Sequence, residues 1–238
     1  MGWNKKRDVR LKNQQWKPLV KAYLLSAKVD RKVVEAANGY MDELADSHDK
    51  VDYQYNLAGQ IRRGEQLQMD PAAEQLTGLV QGIEALSRSY VSQFFDAHPI
   101  GSPIAPDRIQ PEIQDIWGVY QRAHDYNPLH NHGTRARMGL SGCFYVQVPS
   151  CIDPSAREGV TMARGAKGDF DGHLYLNYGE LRPFGSIMLE PPLSMHIAPA
   201  PGVMLLWPAW LNHGVRPFDG EGERRCIAYN VNVMITEG

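Results

Sequence analysis

Cysteine is scarce in this chain of 238 residues. Only Cys143, Cys151 and Cys226 occur, an odd number with no Cys-x-x-Cys spacing, so a disulfide framework is excluded and a reducing compartment fits best. Neither sign of charge is in excess. Lys and Arg number 25 against 27 Asp and Glu, a formal net charge of −2, and no polyanion such as nucleic acid is expected as a partner. No apolar run approaches the roughly 20 residues needed to span a bilayer, so no membrane partner is expected. The opening Met-Gly-Trp-Asn-Lys-Lys-Arg has neither the apolar core nor the cleavage site of a signal peptide, and Lys6 fails the myristoylation pattern. A cytoplasmic protein is the reading; oligomeric state is not legible. Hydrophobic residues at 43% and charged residues at 22% are ordinary globular values, and a chain of this length buries roughly 70 to 75% of its unfolded surface.

Proline and glycine are sparse before Pro99 and frequent after it, so helices are expected first and turns later. One helix is predicted from Arg31 to Ala45, with Asp30 as N-cap and Val34, Ala37, Met41 and Leu44 on one face. A second is predicted from Pro71 to Ala97, with Asp70 as N-cap and Leu76, Val80, Ile83, Leu86, Tyr90, Val91 and Phe94 at helical spacing. From Glu112 onward the apolar residues fall into strand-length segments at 113–122, 142–148, 173–176, 187–189, 203–207 and 225–233. Turns are expected at 168–172, 199–202 and 219–222. The pattern predicts one α+β domain over 1–238. Residues 1–111 are mainly helical and pack on the outside of a jelly-roll barrel, or related sandwich, formed by 112–238.

Three of the eight histidines are arranged for chemistry. His130 and His132 stand two apart in Leu-His-Asn-His-Gly, and alternate side chains of a strand share a face, so both can reach one cation while Asn131 points away. His213, in Leu-Asn-His-Gly-Val, follows a buried-looking strand and a turn at Pro208 and supplies a third ligand. Three ligands on one face of a metal leave other positions open, as in oxygen-activating iron sites. His48, His98, His124, His173 and His196 read as ordinary core or surface residues. The adjacent Arg224 and Arg225 open an alternating segment, Arg-Arg-Cys-Ile-Ala-Tyr-Asn-Val. They must face opposite sides; Arg224 goes with Cys226, Ala228 and Asn230, and Arg225 with Ile227, Tyr229 and Val231. If Arg224 faces inward, its guanidinium suits a ligand carboxylate. On the segment 141–147, Tyr145 shares a face with Ser141 and Cys143, where it serves either as a hydroxyl donor or as a packed tyrosine. Trp117, Trp207 and Trp210 read as core or rim packing.

Four ordered segments carry a resemblance: Asp-Tyr-Asn-Pro-Leu-His-Asn-His, Leu-Ser-Gly-Cys-Phe-Tyr-Val, Val-Met-Leu-Leu-Trp-Pro-Ala-Trp-Leu-Asn-His-Gly-Val and Glu-Arg-Arg-Cys-Ile-Ala-Tyr-Asn. Together they resemble a family of 2-oxoglutarate and iron(II) dependent oxygenases first grouped with phage proteins, over about residues 112–234, with a weaker echo at Asn56–Ile61. The resemblance implies a double-stranded β-helix, with Fe(II) and 2-oxoglutarate as cofactors. It implies His130 and His213 as iron ligands, Arg224 as partner of the distal carboxylate of 2-oxoglutarate, and Tyr145 as a second donor. His132 departs from the commoner pattern, which has a carboxylate two residues after the first histidine.

The expected enzyme is a dioxygenase that oxidises a small molecule or a protein side chain, by default through hydroxylation, while 2-oxoglutarate is decarboxylated to succinate. A cupin-like metalloenzyme working without 2-oxoglutarate is the first alternative, although Gly133–Gly139 lacks the glutamate such sites use. A non-catalytic jelly-roll binding module is the second. Loops at 150–167 and 178–186, which include Arg157, Arg164, Lys167 and Arg182, are expected to border the barrel mouth.

Overall fold

The computed structural model describes residues 22–97, 104–133, 138–153, 170–179 and 194–236. In chain order the described elements are β1 (Leu25–Lys28), α1 (Arg31–Asp46), β2 (Glu65–Gln68), α2 (Thr77–Ala97), β3 (Ile109–Gln121), β4 (Asn127–His130), β5 (Met138–Gln147), β6 (Leu174–Asn177), β7 (Ser194–Ile197), β8 (Val203–Pro208), β9 (Asn212–Val215) and β10 (Arg224–Ile235). A six-stranded sheet has the order β1-β8-β5-β10-β3-β2, and a four-stranded sheet has the order β4-β9-β6-β7. All pairings are antiparallel. The fold is a jelly-roll, double-stranded β-helix of the α+β class.

β10 lies at the centre of the larger sheet, and its two faces sort the core. Ile227, Tyr229, Val231 and Val233 join Phe144, Val146, Leu206 and the helices in one apolar cluster. Cys226 and Ala228 face the other way, with Trp117, Val119, Cys143, Tyr145, Leu205 and Trp207 of the larger sheet and Leu174 and Leu176 of β6. The second cluster is therefore the space between the sheets. Gly142 on β5 allows close packing on the helix-side face, since a Cβ there would meet the Leu205 carbonyl and the Tyr229 ring, each at 2.4 Å.

α1 begins where the cap predicts, the Asp30 side chain accepting from the Lys32 amide at 2.9 Å. Ala37 and Met41 are buried against the sheet, and the Tyr120 hydroxyl donates to the Met41 carbonyl at 2.6 Å. α2 starts later than expected. Asp70 accepts from the Ala72 amide at 2.9 Å and so closes a local turn, Ala73 is extended, and a short 3-10 turn at Glu74–Leu76 precedes the helix at Thr77. The physical reason is burial: Leu76 is the first fully buried residue of the segment, whereas Pro71 and Ala72 are exposed. Four strands were not expected from the sequence, namely β1, β2, β7 and β9. β1 and β2 come from the supposedly helical part and form the two edges of the larger sheet. The strand expected at 187–189 lies outside the described residues.

The chain on both sides of β3 is tied together by one carboxylate. Asp125, 2% exposed, accepts from the amides of Arg62, Arg63 and Gly64 at 2.8 to 3.1 Å and of Arg122 at 3.0 Å. The close approach requires glycine at 64, where a Cβ would stand 1.6 Å from the Tyr120 carbonyl oxygen. Beside this clip, Gln60 bridges Tyr126, which leads directly into β4. Asp125→Ala orphans four amides and is expected to cost about 2 to 4 kcal/mol of unfolding free energy at pH 7, with Asp125→Asn losing less. Urea denaturation of the three proteins measures this, and a change of under about 0.5 kcal/mol for the alanine variant contradicts it.

Candidate metal centre

Two strands of the smaller sheet set the centre. His130 on β4 and His213 on β9 are directly opposite in the register, so their rings meet with centroids 4.4 Å apart. The sequence suggests that His132 shares a strand face with His130, but β4 stops at His130. The chain returns His132 by another route: its amide donates to the Ala209 carbonyl at 3.0 Å, while Asn131 turns outward to Asn212. The His132 ring lies 5.0 Å from each of the other two. One ring nitrogen from each residue falls within 4.8 Å of the others, and this is the cluster of metal-ligating side chains found among the described residues.

Two rings are oriented by backbone. His130 Nδ1 lies 2.7 Å from the Pro128 carbonyl and His213 Nδ1 lies 2.9 Å from the Leu211 carbonyl. A carbonyl only accepts, so each Nδ1 carries its proton and each Nε2 presents a lone pair. Trp207 packs edge-on to His213 at 4.9 Å and Trp117 tilts against His132 at 5.9 Å. Burial lowers all three values from the ordinary 6.5, with His213 at about 3 and His132 at about 4, where His130 also contributes by repulsion.

Arg224 faces the same inner cavity. It is 1% exposed, its guanidinium donates to the Gln121 side-chain carbonyl and sits 3.5 Å from the Cys226 sulfur and 5.1 Å from the Tyr145 ring centre. Its Nε has no partner, and no carboxylate among the described residues pairs with it. The Tyr145 hydroxyl is fully buried and unpartnered too; burial holds its ionisation well above 10, so it remains a donor. Arg225 faces the helices, paired with Asp42 and with Glu223 at 2.7 Å. The strand parity read from the sequence is thus observed.

A family described as "Putative 2OG-Fe(II) oxygenase" matches residues 115–230, a span that includes His130, His132, Tyr145, His213 and Arg224. Residues 115–230 are those of a 2-oxoglutarate and iron(II) dependent oxygenase. Its cofactors are accordingly Fe(II) and 2-oxoglutarate, and the three imidazoles suit the metal. No curated protein matches the chain. Among solved structures it is similar to a prolyl-4-hydroxylase from Pseudomonas putida, at 12% identity and TM-score 0.52 over 88% of this chain and 91% of that one. It is similar to SnoN, a non-heme alpha-ketoglutarate dependent epimerase from nogalamycin biosynthesis, at 10% identity and TM-score 0.56 over 88% and 78%. A prolyl hydroxylase from Trichoplax adhaerens, solved with a hypoxia inducible factor peptide fragment, is similar at 11% identity and TM-score 0.52 over 89% and 83%. At these identities the three structures speak to fold.

Sequence reasoning missed the amides that support the oxygenase site. Gln121, 1% exposed, holds Arg224 and donates to the Asn127 side chain at 3.0 Å. Asn230, 5% exposed, reaches His132. The available signal was polar residues at inward positions of otherwise apolar strands. His48, His124, His173 and His196 stand apart from the centre, while His98 and most of the loops at 150–167 and 178–186 lie outside the described residues. No helix among the described residues is long and apolar enough to cross a membrane.

The lowered histidine values set a pH dependence in the metal-free oxygenase. Between 6.5 and about 3 the unfolded chain binds a proton at position 213 that the folded chain excludes, so stability falls as pH falls through that window, by about 1.4 kcal/mol per pH unit per excluded proton. His213→Phe removes that contribution, and its unfolding free energy is expected to fall less steeply from pH 6.5 to 4.5 than that of the parent. Denaturation at three pH values checks this; parallel curves refute it.

Proposed function

We propose that His130, His132 and His213 hold the iron of this oxygenase, that Arg224 takes the distal carboxylate of 2-oxoglutarate with Tyr145 as a second donor, and that residues 1–238 work as one domain. The observation that carries this reading is Arg224: a fully buried guanidinium with no acid to pair with, in the same cavity as three histidines. Burying an unpaired charge costs several kcal/mol, and a dianionic ligand offsets that cost. Bound iron supplies the oxygen activation. The chain's own groups do the positioning: the backbone-bonded rings of His130 and His213 present Nε2, and Arg224 with Tyr145 orients the carboxylate end of the cosubstrate.

The reaction is oxidation of a small molecule or a protein side chain, with hydroxylation as the default. Solved structures that share the fold include prolyl hydroxylases and an epimerase from nogalamycin biosynthesis, which supports leaving both substrate classes open. A cytoplasmic setting is part of the proposal and rests on the number and spacing of the cysteines in the sequence. Anaerobic titration with Fe(II) and then 2-oxoglutarate tests the reading: a metal-to-ligand charge-transfer band is expected only when both are present. Metal binding without that band favours the cupin-like alternative.

Two sets of variants test the residues. His213→Ala is expected to lose most of its stoichiometric iron with little change in melting of the metal-free protein, and full retention of iron overturns the ligand assignment. Arg224→Lys keeps the charge but loses the planar fork, so 2-oxoglutarate is expected to bind about 1 to 3 kcal/mol more weakly with iron retained. Arg225→Lys, on the helix side, leaves cosubstrate affinity nearly unchanged. Isothermal titration with iron present distinguishes the two, and a loss carried by Arg225 instead overturns the anchor.

A further inference from the structure

His130 and His213 are each oriented by a carbonyl of their own chain two residues back, whereas His132 is oriented by a side chain from another strand. Asn230 Nδ2 stands 3.2 Å from His132 Nδ1. Asn230 Oδ1 accepts from the Ser141 hydroxyl at 2.8 Å, and Asp115 Oδ2 lies 3.5 Å from the amide nitrogen. Asp115 is itself held by the Tyr53 hydroxyl at 3.0 Å and the Gln114 amide at 2.7 Å. Ser141 and Asn230 are both nearly fully buried, so each lost bond leaves a polar group without solvent.

With Nδ2 donating to His132 Nδ1, a neutral ring must carry its proton on Nε2, and that nitrogen has no lone pair for a metal. A half-turn of the amide removes the conflict. Oδ1 then accepts from Nδ1–H, Nε2 is freed, and Nδ2 donates to the Ser141 oxygen, since a hydroxyl accepts as readily as it donates. The turn gives up the Asp115 bond, at 3.5 Å the longest of the set, and the bond by which the Ser141 hydroxyl donated to Oδ1. Two arrangements of one buried amide thus correspond to two tautomers of one ligand.

We propose that Asn230 is the positioning residue for the third metal ligand: its amide turns over against Ser141 so that Oδ1 fixes the His132 tautomer whose Nε2 binds the ion. This rests on the three-histidine reading of the centre. Loss of such outer partners typically weakens metal binding 10- to 100-fold.

The test uses cobalt(II) as probe on the full metal-free chain, with the dissociation constant and the ligand-field bands read by absorption. Asn230→Ala is expected to bind cobalt 10- to 100-fold more weakly than the parent and with shifted bands. The exchange Asn230→Asp with Asp115→Asn keeps net charge and supplies a group that only accepts, and is expected to recover affinity to within about threefold of the parent; a role in packing alone predicts no recovery. Parental affinity and bands in Asn230→Ala, with His132→Ala weakened, overturn the inference and leave the three-histidine reading intact. Parental affinity in both overturns the two together. Should Asn230→Ala fail to fold, nitrogen-15 spectra of the parent decide: with zinc bound, His132 is expected to carry its proton on Nδ1, and a protonated Nε2 overturns the proposal.

Discussion

Neighbouring residues on β10 must face opposite ways, and both faces of that strand are buried. This constraint governs what Arg224 and Arg225 become. On the helix side Arg225 finds Asp42, Glu223 and Asn38 and stacks over Tyr120, so its charge ties the sheet to α1. On the inner side Arg224 finds a glutamine carbonyl, a thiol and a phenol ring. Dipoles and a π face orient the guanidinium without cancelling its charge. The sheet has thus fixed a cation in a buried cavity with no acid among the described residues paired to it.

The three histidines are rigid for a related reason. Opposite positions on paired antiparallel strands are held at a set distance by the ladder, so the His130–His213 contact belongs to the register of β4 and β9 rather than to either side chain. β4 is only four residues long, and its position depends on what precedes it. That is the role of Asp125, whose carboxylate gathers amides from 62–64 and from Arg122 immediately before the strand. Residues remote in sequence from the histidines therefore set the geometry in which they meet.

Legibility followed the strength of local pattern. α1 was readable because an N-cap and four apolar residues at helical spacing agree, and the parity of β5 and β10 was readable because strand alternation has a period of two. The short strands β7 and β9 were not, since four residues such as Asn-His-Gly-Val or Ser-Met-His-Ile show no periodicity and take their conformation from a partner strand. The start of α2 was misread because Asp-Pro is as good a turn signal as a cap, and only burial at Leu76 separates the two. His130, His213 and Arg224 were legible as a constellation. Gln121, Asn127, Asp115 and Asn230 were not, because an amide or carboxylate within a strand reveals its role only when the partner strand shows which group it faces.

The same alternation bears on the charge of the centre. A divalent ion held by three neutral imidazoles has no protein charge to balance it, and Arg224 adds a further positive charge to the cavity. Bound 2-oxoglutarate supplies two negative charges, which leaves an excess that a carboxylate ligand in place of His132 would remove. Asp115 lies beyond that position, across the Asn230 amide. Coulomb attraction falls with distance and rises as the dielectric drops, so a carboxylate one side chain removed still acts on the ion across the buried Asn230. In the commoner arrangement that charge is a ligand. Here it is set back behind an amide, so the charge balance and the choice of His132 tautomer pass through the same side chain.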